Sequence, residues 1–157
     1  MKNKKVFLLP VVATMLAAGL ASCNQDTGKT KITFWHTMGQ TLQADLDRVI
    51  TEFNKLYPDI KVEHAAQGGY TDLEDKLTDA IPAGTTPTMA YCYPDHVAEY
   101  MESNAVIDLT PFIEDPELGF GGEDGTKEDY VPVYWEEGIS YAKAGVYSVP
   151  FLKSTEA

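Results

Sequence analysis

Trp35 and His36 stand side by side in the run "KITFWHTMG", where a strand-like sequence ends and a glycine follows. Three other places carry aromatic or short polar side chains: "GGY" at residues 68–70, "YPD" at 93–95 and "KST" at 153–155. Flat aromatic faces pack against the apolar C–H face of a sugar ring, while an Asp carboxylate or a hydroxyl takes its ring hydroxyls in oriented hydrogen bonds. The candidate ligand-binding residues at these places are Trp35, His36, Tyr70 and Asp95, whereas Ser154 and Thr155, taken alone, carry almost no information. Each also has a plainer reading. Trp35 can pack in a core, His36 can be a hydrogen-bonded structural residue, and Asp95 can cap a helix. Tyr70 follows two glycines, which favours a tight turn and an exposed ring.

Reactive chemistry finds less support. The nearest approach to a G-x-S-x-G nucleophile elbow is "GISYA" at 138–142, which lacks the second glycine. No H-E-x-x-H run occurs, and no ligand spacing joins His36, His64 and His96. Glu136 and Glu137 are adjacent, which on a helix turns them about 100° apart and makes a poor acid and base pair. Glycines in the acidic stretch 115–129 neither follow a strong strand nor open a helix, so no dinucleotide fingerprint is present; the stretch reads as a solvated surface loop. The expectation is a binding site with no catalytic residue, no metal and no cofactor.

These residues need elements to bring them together. Residues 32–35 form a strand pattern, and Leu42, Leu46, Val49, Ile50, Phe53 and Leu56 recur at helical spacing over 40–57, with Pro58 as the stop. A second strand begins at Ile60. Thr71 and Glu74 have capping-box spacing ahead of a helix whose buried face is Leu73, Leu77 and Ile81. A third strand over 89–93 and a short helix to about Ser103 follow. Strand and helix alternate, which predicts an α/β fold with a mainly parallel sheet and right-handed crossovers. In such sheets ligands bind beyond the carboxyl ends of the strands, where all four clusters fall. Later, "AVIDLTPFIE" reads as an extended segment and turn, residues from Tyr130 as a helix, and "VYSVPF" from Val146 as another strand. Cys92 lies in an apolar run, "TMAYCY", where a free thiol acts as a small hydrophobe.

The amino end has a different character. Lys2, Lys4 and Lys5 precede an apolar run over residues 6–20, and "LASC" ends at Cys23. Basic, then apolar, then small is the order of a secretory signal, here residues 1–22. The run is short for a membrane span, which needs about 20 apolar residues. The final four residues resemble the bacterial lipobox, which would make Cys23 the lipid attachment site and residues 23–30 a polar tether. Only Cys92 then remains, so no disulfide forms within the chain. Loss of residues 1–22 removes three lysines and no acid, moving the formal charge from −12 to −15. That acidity excludes nucleic acid as a partner, because phosphate binding needs clustered Lys and Arg.

Taken in order, "LASC", "ITFWHTMG", "FNKLYPDIKVE", "GGYTDLEDKL", "PTMAYCYPDHVAEYM", "AVIDLTPFI" and "VYSVPFLKST" resemble the N-terminal part of a family 1 extracellular solute-binding protein, closest in character to the maltose-type and glycerol-3-phosphate-type receptors. The resemblance covers residues 31–157. It implies a periplasmic-binding-protein-like (type II) α/β fold of which this stretch is the N-terminal lobe, without the second lobe. It also implies a monomeric, lipid-anchored receptor on the outer face of the cell membrane, closing on a carbohydrate and delivering it to the transmembrane subunits of an ABC permease. By motif, Trp35 and His36 match the family's "FWH", Tyr70 its "G-x-Y" and Ser154 its "P-F-x-x-S-T". In glycerophosphodiester-binding relatives an acid falls at or beside Asp95, with "YPD" displacing it by about one residue. Glycerol-3-phosphate or a glycerophosphodiester is the alternative ligand, and a secreted glycan-acting enzyme or a surface adhesin the alternative function.

Overall fold

The computed structural model describes residues 28–117, 119–120 and 127–152. Residues 1–22, expected to be a signal segment, and Cys23 and Ser154 lie outside the described residues. Strand β1 (Thr30–His36) leads through helix α1 (Gln40–Leu56) to β2 (Ile60–Ala66), and α2 (Tyr70–Ala83) leads to β3 (Met89–Ala90). Helix α3 (Pro94–Glu102) follows, then α4 (Thr110–Ile113), a 3₁₀ turn over Lys127–Asp129 and α5 (Pro132–Glu137). The three strands are parallel in the order β2-β1-β3. Among the described residues no helix is long and apolar enough to cross a membrane.

Period-two alternation sorts the central strand onto two faces. Phe34 and His36 are buried on one face, in register with His64 and Ala66, and α1 covers that side through contact of Asp47 with His64. Trp35 faces the other way, in register with Ala65 and Ala90. There it packs against Leu73 and Leu77 of α2 and Tyr100 of α3, the centre of the core. Helices thus cover both faces, as a doubly wound parallel sheet requires. Because β2 and β3 lie on opposite sides of β1, the winding direction reverses at β1 and opens a crevice at its carboxyl end.

Local chemistry sets the element ends, with some departures from the sequence pattern. The predicted third strand is only two residues long, yet its pairing continues on either side. Thr33 and Thr88 exchange backbone N–H to hydroxyl bonds of 3.1 and 2.9 Å, and the Tyr91 N–H donates to Trp35 O at 3.0 Å. Helix α2 starts one residue before Thr71, and its amino end is held by the Asp72 carboxylate accepting from the Gly69 N–H at 2.7 Å, not by Thr71 and Glu74. Gly68 has φ +101°, which a residue with a side chain rarely adopts. At the other end Gly84 takes the left-handed conformation and caps the helix.

The segment predicted to turn at residues 110–113 is the short helix α4, and the strand expected from Val146 has no ladder. Instead Val146 is fastened at one point: Leu109 N–H donates to Val146 O at 2.7 Å, while Val146 N–H reaches Thr110 Oγ1 and Asp108 Oδ1 at 3.1 and 3.3 Å. Gly145 beside it is held at φ +140°, and Pro150 lacks the donor that a ladder would need. The amphipathic stripe of α1 is only partly covered. Leu46, Ile50 and Phe53 are half-buried, but Leu42, Val49 and Leu56 are exposed, since three strands are too narrow a sheet to cover the whole stripe.

Candidate functional site at the carboxyl edge of the sheet

The carboxyl edge gathers rings in two stacked pairs. Tyr70, the first residue of α2, stacks on Tyr93, the residue before α3, with centroids 4.3 Å apart and planes inclined by 25°. Tyr91, just past β3, stacks on Phe151 at 4.8 Å and 27°, and meets Phe34 edge-on at 5.1 Å. The outer members remain open: Tyr93 is 49% exposed and Phe151 66%. Burial pushes the Tyr91 phenol up to about 12, with Tyr70 adding to the shift, so this hydroxyl stays neutral and can both donate and accept.

Asp95 sits in the first turn of α3 with its side chain 83% exposed, and its Oδ1 accepts from the His96 N–H at 3.1 Å. The carboxylate lies where an anion is favoured by the helix terminus. Behind it, His96 is packed edge-on against Tyr93, with Nε2 3.3 Å from Glu74 Oε2. The edge is thus flat, aromatic and acidic. Lys76 donates to the backbone oxygen and the side-chain oxygen of Gln67, in the loop after β2, at 3.0 Å each.

Trp35 and His36 support this edge from behind. Trp35 is half-buried against the Leu73, Leu77 and Tyr100 core. His36 is 0% exposed and both of its ring nitrogens are engaged, so in this arrangement the ring offers no edge to a ligand. Its Nδ1 accepts the Met38 N–H at 3.1 Å, and its Nε2 lies 2.9 Å from His64 Nδ1. His64 Nε2 in turn lies 2.9 Å from Asp47 Oδ1. Burial first, and then the neighbouring His64, hold His36 below the ordinary histidine value. The sequence placed His36 and His64 on separate elements without seeing that parallel register sets them on one face. Even so, no group of three His, Cys, Asp or Glu side chains among the described residues is gathered to hold a metal ion.

Of the residues singled out from the sequence, the structure brings Tyr70 and Asp95 to the open edge and places Trp35 and His36 behind it. Two further rings at this edge, Tyr93 and Phe151, are not among the candidate residues, although Tyr93 stands in the "YPD" cluster. The available signal was their position, directly after a strand and beside the "KST" cluster, in the same loops that supplied Asp95 and Ser154. Cys92 is half-buried against the core, and desolvation is the chief cause that pushes its pKa up to about 11, which suppresses the reactive thiolate. Ser140 within "GISYA" donates its hydroxyl back to Glu136 O at 2.5 Å, an ordinary helix-end bond.

The sequence profile of the bacterial extracellular solute-binding protein family matches residues 37–157. The sn-glycerol-3-phosphate-binding periplasmic protein UgpB of Salmonella typhimurium is 30% identical over 147 residues, covering 89% of this chain and 31% of that protein. Among solved structures, the ABC substrate-binding protein Lmo0181 of Listeria monocytogenes, in complex with cycloalternan, superposes with a TM-score of 0.58 at 25% identity, over 70% of this chain and 26% of that one. The GacH receptor of Streptomyces glaucescens shares the fold with a TM-score of 0.60 at 18% identity, over 78% of this chain and 29% of its own. The chain spans about a third of the length of the curated relatives it matches. By its profile match, its parallel α/β architecture and these likenesses, the chain belongs to the bacterial extracellular solute-binding protein family.

Proposed function

We propose that this chain forms the N-terminal lobe of a substrate-binding lipoprotein of an ABC importer, anchored through Cys23 outside the cell membrane, which captures a carbohydrate and delivers it to the permease. The observation that carries the ligand class is the pair of aromatic stacks, Tyr70 on Tyr93 and Tyr91 on Phe151, at the topological switch point, each with an exposed outer ring. Open ring faces suit the C–H face of a pyranose, and the neighbouring Asp95 carboxylate and tyrosine hydroxyls suit its hydroxyl groups. Ser154 follows Phe151 by three residues and is assigned to the same edge by its motif. Trp35 and His36 are assigned supporting roles beneath it. Closure of a second lobe over this edge would bury the ligand, the usual hinge mechanism of two-lobed receptors.

Glycerol-3-phosphate or a glycerophosphodiester is the second reading, favoured by the 30% identity to UgpB. Against a bare phosphate stands the local charge, with Asp95 and Glu74 at the edge and Lys76 already bonded to two oxygens of Gln67. Titration calorimetry of the full-length protein with neutral oligosaccharides and, separately, with sn-glycerol-3-phosphate and glycerophosphocholine tests the choice. Binding of a neutral oligosaccharide that phosphate does not displace is expected. Binding of the phosphate esters alone would overturn the carbohydrate assignment, and conversion of an oligosaccharide to products would overturn the assignment as a receptor.

A further inference from the structure

Four ring nitrogens, one backbone donor and one carboxylate form a closed hydrogen-bond sequence beneath the candidate site. Met38 N–H is a fixed donor and lies 3.1 Å from His36 Nδ1, which must therefore be bare to accept it. The neutral His36 ring then carries its proton on Nε2 and donates across 2.9 Å to His64 Nδ1. His64 in turn carries its proton on Nε2 and donates across 2.9 Å to Asp47 Oδ1. Two protons on four nitrogens satisfy every contact. A third proton cannot be added without setting two N–H groups against each other, either between the rings or at Met38, whichever nitrogen receives it.

We infer that His64 and Asp47 are positioning residues of the ligand site, fixing His36 in a single tautomer so that it holds the Met38 loop, and that acidification releases this loop. The consequences reach the candidate site through the backbone. Met38 O accepts the Gln43 side-chain amide at 2.8 Å, and His36 O accepts the Gln67 N–H at 2.9 Å. One residue, His36, therefore ties together the loops that follow β1 and β2, and the second of these leads into Gly69 and Tyr70.

The groups facing the pair come from three sides. Helix α1 contributes Asp47, β2 contributes His64, and the segment after β3 contributes the Tyr91 phenol, whose ring centroid lies 6.4 Å from that of His36. Lys31, Lys61 and Glu63 form a separate surface group on the opposite face of the sheet by strand alternation. His36 is fully buried, whereas the far end of the sequence, Asp47, is 68% exposed and gives a proton its entry. Burial and the His64 neighbour both disfavour a charged His36, in keeping with the proton count.

The proton arrangement stands on geometry alone, and its effect on binding rests on the reading of this edge as a ligand cleft. Two-bond ¹⁵N–¹H correlation spectra of the full-length protein at about pH 8 report the tautomers directly. Both rings are expected to carry the proton on Nε2, and His36 to take up a further proton only below the ordinary value of 6.5. Emission of Trp35, read as the difference between wild type and Trp35→Phe, should change over the same pH range. A proton on His36 Nδ1, or a His36 ring that titrates at the ordinary value, overturns the inference whatever the ligand.

For binding, His64→Gln keeps an acceptor for His36 and a donor for Asp47, and His64→Leu keeps neither. Calorimetry at about pH 8 with a neutral oligosaccharide should find His64→Gln within about twofold of wild type and His64→Leu at least about fivefold weaker. Equal loss in both variants overturns the positioning role. Failure of the wild type to bind any oligosaccharide overturns the carbohydrate reading, and the tautomers then decide the inference.

Discussion

Tyr70 and Tyr93 lie face to face, 4.3 Å between centroids, although 23 residues and a complete helix separate them. The stack forms because α2 starts and α3 starts at the same edge of the sheet, each directly beyond a strand. One face of Tyr93 is spent on Tyr70, leaving the other as a candidate surface for a sugar ring. Tyr93→Ala is accordingly expected to weaken oligosaccharide affinity by more than about tenfold, or about 1.4 kcal/mol, with a thermal midpoint close to wild type because the ring is half exposed. Calorimetry paired with thermal unfolding checks both halves of this expectation.

Gly68 is doubly constrained. Its φ of +101° suits glycine, and a Cβ there would lie against the Asp72 carboxylate that caps α2. Gly68→Ala should therefore cost about 1–3 kcal/mol from backbone strain, and should also displace Tyr70 by loosening the cap. Denaturant unfolding measures the first, and loss of oligosaccharide affinity the second. An alanine variant as stable as wild type would show that the loop relaxes without penalty.

The alternation of strand and helix made the parallel sheet legible, because β1, α1, β2 and α2 each carry a clear period of two or of about 3.6. Residues 146–151 have the same apolar composition as a strand but are fixed by Asp108, Thr110 and Leu109, partners some 36 to 38 residues earlier that no local pattern announces. The site divides in the same way. The exposed placing of Tyr70 was legible from its glycines and that of Asp95 from its position past the third strand, since both signals are local. The inward roles of Trp35 and His36 depend on which face of β1 each occupies and on what the crossovers lay over that face. Likewise, the partnership of His36 with His64 follows from register, which links residues 28 apart.

Cys92 offers a test of burial. Its thiol is pushed up to about 11, chiefly by desolvation with a smaller contribution from Asp95, so the thiolate fraction at neutral pH is very small. Reaction with a disulfide reagent in the folded protein carrying Cys23→Ser should be slower than in urea by at least about a hundredfold, as the free value is near 8.5. Comparable rates in the two conditions would mean that the thiol is accessible.

Stability should depend on pH with a definite sign. His36 is held below the ordinary histidine value of 6.5 in the folded chain, so between its folded and unfolded values the unfolded chain binds more protons. Its contribution to stability is thus fully present above about pH 6.5 and is lost as the pH falls through the lowered folded value. Urea midpoints measured at intervals from about pH 8 to 5 should fall on the acid side, and less steeply in His36→Gln, which carries no titrating ring.

Trp35 separates packing from ligand contact. Its ring lies on the Leu73, Leu77 and Tyr100 core, so its first duty is to fill space. Trp35→Ala should cost about 3 kcal/mol in denaturant unfolding, near the lower end for a large buried aromatic because the ring is only half covered. Trp35→Phe keeps an aromatic in the same place and should cost less than about 1.5 kcal/mol. If the ring serves the core, oligosaccharide affinity of the phenylalanine variant stays within about threefold of wild type, while Tyr93→Ala loses more than about tenfold. A phenylalanine variant that is stable yet binds as poorly as Tyr93→Ala would move Trp35 from the core to the ligand.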